Sequence, residues 1–257
     1  MPLRSNRRFA GLVFAWVSVA LVYAVFVYFI LFLADLHLAR TVDRGGSLGA
    51  VPALLVDLAL IGLFGLQHTG MARDGFKRLL AGRVPQGLQR TTYVAFSVLA
   101  LFLLVHLFEP IPAIVWDLSD GPFALPLRGL FVLGWAISGA AYLAAGHLYL
   151  LGVRQAVAWY RDEPVPGPPL QERLVYRIVR NPQQLGLLLA FWSTPTMSAG
   201  HLLLAAGLSV YIWIGMRFEE KDLIAAHGAT YLAYRDRTPK IVPDFLAPLR
   251  RRATGKD

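Results

Sequence analysis

The sequence predicts an all-α fold, a polytopic helical membrane protein with five long transmembrane helices and one short one. The short helix and the last long one close a C-terminal hairpin, and both termini are cytoplasmic. Three observations predict this. Of the 257 residues, 56% are hydrophobic and 16% charged, whereas a soluble domain carries about a quarter charged; mean hydropathy is +0.51. Apolar runs recur at Phe9–Ala34, Leu48–Leu66, Thr91–Phe108, Gly129–Leu151 and, broken, Leu185–Met216. The connections between them alternate in basic content.

Crossing the hydrocarbon core takes about 20 apolar residues, which the runs supply. Arg4, Arg7 and Arg8 precede the first, as in a signal peptide. Its apolar part is too long and no small-residue cleavage site follows, so it reads as a membrane helix. The segments before Phe9, from Met71 to Arg90, from Gly152 to Asn181 and from Arg217 onward hold 3, 5, 5 and 9 basic residues, 22 of the 25. Arg40, Arg44 and Arg128 fall in the alternate loops. By the positive-inside rule this sets both termini inside and makes the number of crossings even. It also accounts for the net charge of +9 without nucleic acid as a partner. An even count requires the last run to cross twice, with Pro195 and Gly200 of "STPTMSAGH" supplying the turn. Its first limb, Pro182–Thr194, reaches only ~20 Å. The chain has no cysteine, which excludes disulfides and thiolate chemistry of its own. Residues 1–243 read as a single membrane domain and 244–257 as a basic tail suited to anionic headgroups.

This topology brings polar residues to one level. His68, His147, Arg180, Asn181, Glu219 and Glu220 all fall near cytoplasmic helix ends, while His37, His106 and His201 fall on the outer side. Ionisable groups at the membrane are costly and mark function, less strongly at the rim; either histidine is equally readable as a hydrogen-bonded interface residue. Leu151 and Arg154 follow His147 at i+4 and i+7, so Arg154 lies on nearly the same helix face, and Gly139 and Gly146 permit close helix approach. Asn181 and Pro182 suit the cap and first position of a helix. The same helix start, with Arg177 and Arg180 beside it, suits an anion. Glu219 and Glu220 stand near a helix C-terminus and point about 100° apart, so only one faces a shared pocket. An acid opposite an anion-binding corner fits a zwitterion such as S-adenosylmethionine, and equally a lipid headgroup.

"YRIVRNPQQLG…FEEKDLIAAHGATYLAYRDRTPKIVP" resembles the C-terminal signature of isoprenylcysteine carboxyl methyltransferases and related phospholipid methyltransferases. Arg180, Pro182, Gly186, Glu219, Glu220, Gly228, Tyr231, Tyr234 and Pro243 match it. "LQHTGMARDGFKRLL", "PAIVWDL", "GHLYLLGVRQ" and "AFWSTPTMSAGHLL" resemble the bacterial methanethiol S-methyltransferase branch, itself similar to NnrU-like membrane proteins. The likeness runs from about Phe9 to Pro243. Asn181 stands where the family has histidine, and Gln184 where it has tyrosine.

The resemblance implies S-adenosylmethionine-dependent methylation of a small thiol such as methanethiol, giving dimethyl sulfide at the cytoplasmic face of the inner membrane. A cofactor-binding part at about 176–243 comprises Tyr176, Arg180, Asn181, Pro182, Gln184, Gly186, Glu219, Glu220, Tyr231 and Tyr234. Depth orders the candidate bases as His147, then His68, with Arg154 stabilising thiolate charge; no metal is called for. Tyr231 and Tyr234 read equally as interfacial anchors. Three alternatives remain: a lipidic or prenylated acceptor, a haem-binding protein with His68 and His147 as axial ligands, and a non-catalytic membrane scaffold with a degenerate site, which Asn181 in place of the family's histidine favours.

Overall fold

The computed structural model describes residues 2–36 and 38–244, so His37 and the basic stretch beyond Asp244 lie outside the described residues. In chain order the helices are α1 (Pro2–Leu33), α2 (Ala50–Met71), α3 (Asp74–Leu80), α4 (Gln86–Leu107), α5 (Ala124–Ala144), α6 (His147–Leu150), α7 (Val153–Arg161), α8 (Pro182–Trp192), α9 (Ala199–His227) and α10 (Ala229–Arg237). A 3-10 turn spans Leu174–Arg177, and two short strands are β1 (Ile114–Asp117) and β2 (Thr196–Ser198). Five helices, α1, α2, α4, α5 and α9, are long and apolar enough to cross a membrane. The chain is an integral membrane protein of the predicted class.

Helix α1 shows why these runs pack. Ala15, Val19, Val22, Val25, Phe29 and Phe32 recur every three or four residues and are buried, while Val13, Trp16, Val17 and Val27 on the other faces stay exposed. The buried stripe meets its neighbours and the exposed side suits lipid. Phe32 packs edge-on against Phe108, ring centroids 5.5 Å apart, so α1 and α4 end at the same end of the bundle.

The predicted hairpin is present as α8 and α9. With eleven residues, α8 extends ~17 Å, well short of a bilayer core of about 30 Å. Extended chain makes up part of the difference: β2 pairs antiparallel with β1, Ile114 opposite Ser198 and Asp117 opposite Thr196. Ile114, Val115 and Trp116 have strand-favouring side chains, a signal hidden within a loop too short to suggest a sheet. This strand pair marks one end of the bundle, opposite the polar cluster described below.

Just before the sheet, Glu109 ties three segments together. Arg40 donates to its Oε1 through both terminal nitrogens at 3.2 Å, and Arg40 Nη1 also reaches the Phe108 carbonyl at 3.0 Å. Oε2 accepts the backbone N–H of Ser47 at 2.8 Å and of Leu48 at 3.3 Å. The backbone N–H of Glu109 donates to Asp57 Oδ1 at 2.9 Å. The α1–α2 loop, the end of α4 and the interior of α2 are joined through one buried carboxylate. The Ser47 N–H holds the Glu109 carboxyl below its usual range, against burial, with help from Arg40 and Leu48.

Helices α5 and α8 make the closest backbone approach. A Cβ on Gly134 would lie 2.6 Å from the Gly186 carbonyl oxygen, and one on Gly186 would lie 2.4 Å from the Gly134 oxygen and 2.5 Å from Ser138 N. Gly134 and Ser138 on one helix, Gly186 and Ala190 on the other, are small residues four apart, the pattern by which membrane helices gain van der Waals contact. The space beside Gly139 and Gly146 is open, so the close approach expected of them is made elsewhere.

The fourth run also differs from expectation. Helix α5 stops at Ala144 because Gly146 takes a left-handed conformation, φ +80°, and Gly152 repeats it at φ +86°. A left-handed glycine ends a helix. His147 therefore lies in the isolated turn α6 and Arg154 in the separate helix α7, and the shared-face relation between them fails.

Gly186→Leu is expected to lower the melting temperature of the detergent-solubilised protein by the equivalent of about 2 kcal/mol or more, since backbone atoms cannot yield to the added side chain; Gly139→Leu is expected to change it little. Glu109→Gln is expected to cost about 2–3 kcal/mol by stranding Arg40. Because the folded pKa lies below the unfolded value, the Glu109 contribution is fully present above about pH 4.3 and is lost as pH falls through the folded value. Melting curves down an acid series should show a fall in the wild type that is smaller in Glu109→Gln.

Candidate active site

The chain returns at its C-terminal end to the start of α8. Arg180 N donates to the Pro239 carbonyl at 2.8 Å, and Asn181 N to that of Lys240 at 3.1 Å. The Arg180 guanidinium then closes on the end of α10: Nη1 donates to the carbonyls of Arg235 at 2.7 Å and Thr238 at 2.8 Å, and Nη2 to Glu220 Oε1 at 3.3 Å. Lys240 Nζ stands 3.1 Å from the other Glu220 oxygen. Glu220 is thus spoken for twice. Asn181 holds the cap position of α8, but its side chain donates to the Lys240 carbonyl at 3.1 Å instead of capping.

The Glu219 side chain, one residue earlier on α9, points elsewhere. Its carboxylate accepts from Gln184 Nε2 at 3.2 Å, and among the described residues no cation forms a salt bridge with it. Its carboxylate is exposed to solvent. Arg90, Tyr93, Tyr176 and Tyr211 all stand within electrostatic reach of it.

Two of those tyrosines bracket His68 of α2. Tyr211 from α9 sets its hydroxyl 2.7 Å from His68 Nδ1. Tyr93 from α4 sets its hydroxyl 2.9 Å from Nε2 and 3.0 Å from Nδ1, so each ring nitrogen has a phenol within hydrogen-bond distance. Arg90, at the mouth, donates Nε to the Leu150 carbonyl at 2.8 Å and lies 5.1 Å from the centre of the Tyr93 ring. Arg73 closes α2 onto α9 through Asp222 at 3.4 Å.

Tyr231 and Tyr234 are buried, and their rings meet edge-on at 6.0 Å. Tyr234 donates to the Tyr176 carbonyl at 2.7 Å, and Tyr176 reaches the Ala141 carbonyl at 3.4 Å. The two residues lie inside the fold, not along its surface as anchors would. Burial raises both the Tyr176 and Tyr234 phenols, with nearby Glu219 adding to the first and Tyr231 to the second; Tyr234 is pushed up to about 12. Both stay protonated and able to donate at neutral pH.

The structure therefore brings together Tyr176, Arg180, Asn181, Gln184, Glu219, Glu220, Tyr231, Tyr234 and His68. Pro182 is buried at the first position of α8, and Gly186 is taken up by the crossing with α5. His147 lies half-buried beside Tyr142, ring centroids 6.1 Å apart, and Arg154 is exposed on α7. Neither side chain makes a hydrogen bond among the described residues. Arg90, Tyr93 and Tyr211 complete the cluster although motif and depth did not single them out. For the tyrosines the signal was a phenol inside an apolar helix, which needs a partner.

Fold and site define a helical integral membrane protein with a polar, acid-bearing cluster of side chains at one end of the bundle. The chain is 44% identical to Methanethiol S-methyltransferase 2 of Bradyrhizobium diazoefficiens, covering 93% of this chain and 92% of that one. It is 38% identical to Methanethiol S-methyltransferase of Mycobacterium tuberculosis, over 92% and 97%, and 31% identical to bovine (Bos taurus) Nurim, over 66% and 68%. No family model matches the chain, and no solved structure does. The chain belongs to the methanethiol S-methyltransferase family of membrane proteins.

Glu220→Gln is expected to destabilise the protein by about 2 kcal/mol, because it strands a nearly buried Arg180, and to speed proteolysis within 229–244. Glu219→Gln is expected to leave melting temperature and proteolysis close to wild type. Differential scanning fluorimetry with limited trypsin digestion separates the adjacent acids.

Proposed function

We propose that the protein methylates methanethiol to dimethyl sulfide using S-adenosylmethionine, in the cleft between Glu219 and His68 at the cytoplasmic rim of the inner membrane. The observation that carries the proposal is the exposed Glu219 carboxylate, which has an amide partner and no salt-bridging cation among the described residues and stands within electrostatic reach of the two phenols that bracket His68. The names of the relatives point to the same acceptor.

The residues fit the cofactor. A carboxylate with one amide partner and no salt-bridging cation has acceptor capacity left for an ammonium or a ribose hydroxyl. Gln184 and Tyr176 offer polar groups beside it, and Asn181 and Arg180 hold the wall in place through the C-terminal segment. Arg180 supports the site from behind, since its terminal nitrogens are engaged, and is not itself the ligand for a cofactor carboxylate. When bound, S-adenosylmethionine supplies a methyl group activated by a sulfonium.

The chain's task is to align the thiol, exclude water and receive a proton. A thiol reacts as thiolate and is mostly protonated at neutral pH. With its proton on Nδ1, His68 donates to the Tyr211 hydroxyl, and the thiol takes the place of the Tyr93 hydroxyl at Nε2, which receives the S–H proton. Arg90 is the cation that bears on both His68 and Glu219 and favours negative charge on sulfur. It occupies the role that sequence reasoning gave to Arg154. The acceptor, small and apolar, enters from the bilayer side.

Membranes supplied with methyl-labelled S-adenosylmethionine and methanethiol should release labelled dimethyl sulfide into the headspace. Hydrogen sulfide and a prenylcysteine serve as competing acceptors. His68→Ala is expected to lower kcat/KM by about a hundredfold or more, with the deficit shrinking as pH rises and thiolate forms unaided. Glu219→Gln should abolish cofactor binding measured by calorimetry. An equal loss in His147→Ala with none in His68→Ala would reverse the assignment of the base. Label in prenylcysteine and none in dimethyl sulfide would refute the acceptor.

A further inference from the structure

A second polar feature lies apart from the cleft. Arg7 and Arg8 of α1, Arg78 of α3, Arg83 of the following loop and Gln89 of α4 surround an open hollow of about 1170 Å³ whose wall includes Trp159 of α7. Arg8 is paired with Asp162 at 2.5 Å. Among the described residues no carboxylate pairs with Arg7, Arg78 or Arg83, so the hollow carries uncompensated positive charge. The start of α4 adds to it: Pro85 occupies the cap position, no side chain caps the helix and no acid lies in the first turn.

We propose that this hollow binds the headgroup phosphate of an anionic phospholipid. Arginine forks match phosphate oxygens, and this end of the bundle carries the basic connections that face the anionic leaflet. The walls argue for a lipid over a soluble phosphate. Ala10 lines the hollow, and Val13, Phe14, Val17 and Leu21 follow below it on the same side of α1, all exposed. They form an apolar lane leading from the arginines toward the bilayer core, where an acyl chain lies. Trp159 fixes the floor: a Cβ on Gly11 would approach its ring to 2.6 Å, and one on Gly87 would approach its Cβ to 2.3 Å, so α1, α4 and α7 are locked around it. The site is independent of the methyl-transfer reading.

Native mass spectrometry of the purified protein, released from micelles holding phosphatidylglycerol and phosphatidylcholine in equal amounts, tests the proposal. The wild type is expected to retain phosphatidylglycerol preferentially. Arg78→Gln with Arg83→Gln is expected to reduce that retention by about twenty-five-fold, each basic residue near a membrane surface being worth roughly a fivefold change. Gln89→Glu, which adds a carboxylate and removes no arginine, is expected to reduce it as well and guards against misfolding of the double variant. Arg217→Gln with Lys221→Gln removes equal charge at the end of α9 and is expected to leave retention unchanged. Equal retention of both lipids, an equal loss in the Arg217/Lys221 variant, or displacement of the lipid by excess inorganic phosphate would overturn the proposal.

Discussion

Arg180 must satisfy a nearly buried guanidinium, and the way it does so shapes the rest of the site. It takes the last carbonyls of α10 and one oxygen of Glu220, which draws residues 229–240 back across the start of α8. A buried cation stripped of such partners costs several kcal/mol, so the C-terminal segment is held there. Glu220 is thereby neutralised, and Glu219, turned about 100° away on the same helix, is left as the exposed carboxylate that accepts from Gln184. Two adjacent acids with one composition have separate tasks because only one of them meets Arg180.

The bundle around this site follows the logic of lipid as solvent. Apolar side chains gain little by leaving lipid for a helix interface, so close packing and small residues must hold helices together. The contact of Gly134 and Ser138 with Gly186 and Ala190 is of this kind, and it seats α8 firmly enough that the short helix can present Gln184 at its polar end. The two charged clusters lie toward opposite ends. At one, Glu109 gathers Arg40, Ser47, Leu48 and the Asp57 carboxylate; at the other, His68, Tyr93, Tyr211, Arg90 and Glu219 converge. Both clusters avoid the middle of the span, where unpaired charge is most costly.

The departures at Asn181 and Gln184 acquire a physical account in this arrangement. Neither needs an imidazole or a phenol ring to do what it does here. Asn181 uses its amide to grip the Lys240 carbonyl, and Gln184 uses its amide to orient Glu219. The wall proposed for the cofactor is built from amides, backbone carbonyls and the buried Tyr231–Tyr234 pair.

The sequence by itself determined the helical membrane class, the five long helices, the terminal hairpin and most of the residues at the polar end. Long apolar runs have few ways to satisfy their backbone in lipid other than as helices, and helix direction then fixes depth. Which residues at that depth touch one another was decided only in three dimensions. Two glycines, Gly146 and Gly152, turn the chain twice between His147 and Arg154; a periodicity argument carried straight through them assigned a shared face that does not exist. Tyr93 and Tyr211 lie 118 residues apart in the chain, yet both reach His68. Depth is a one-dimensional quantity set by hydrophobicity, whereas contact depends on the rotation of each helix about its axis, which packing against its neighbours sets.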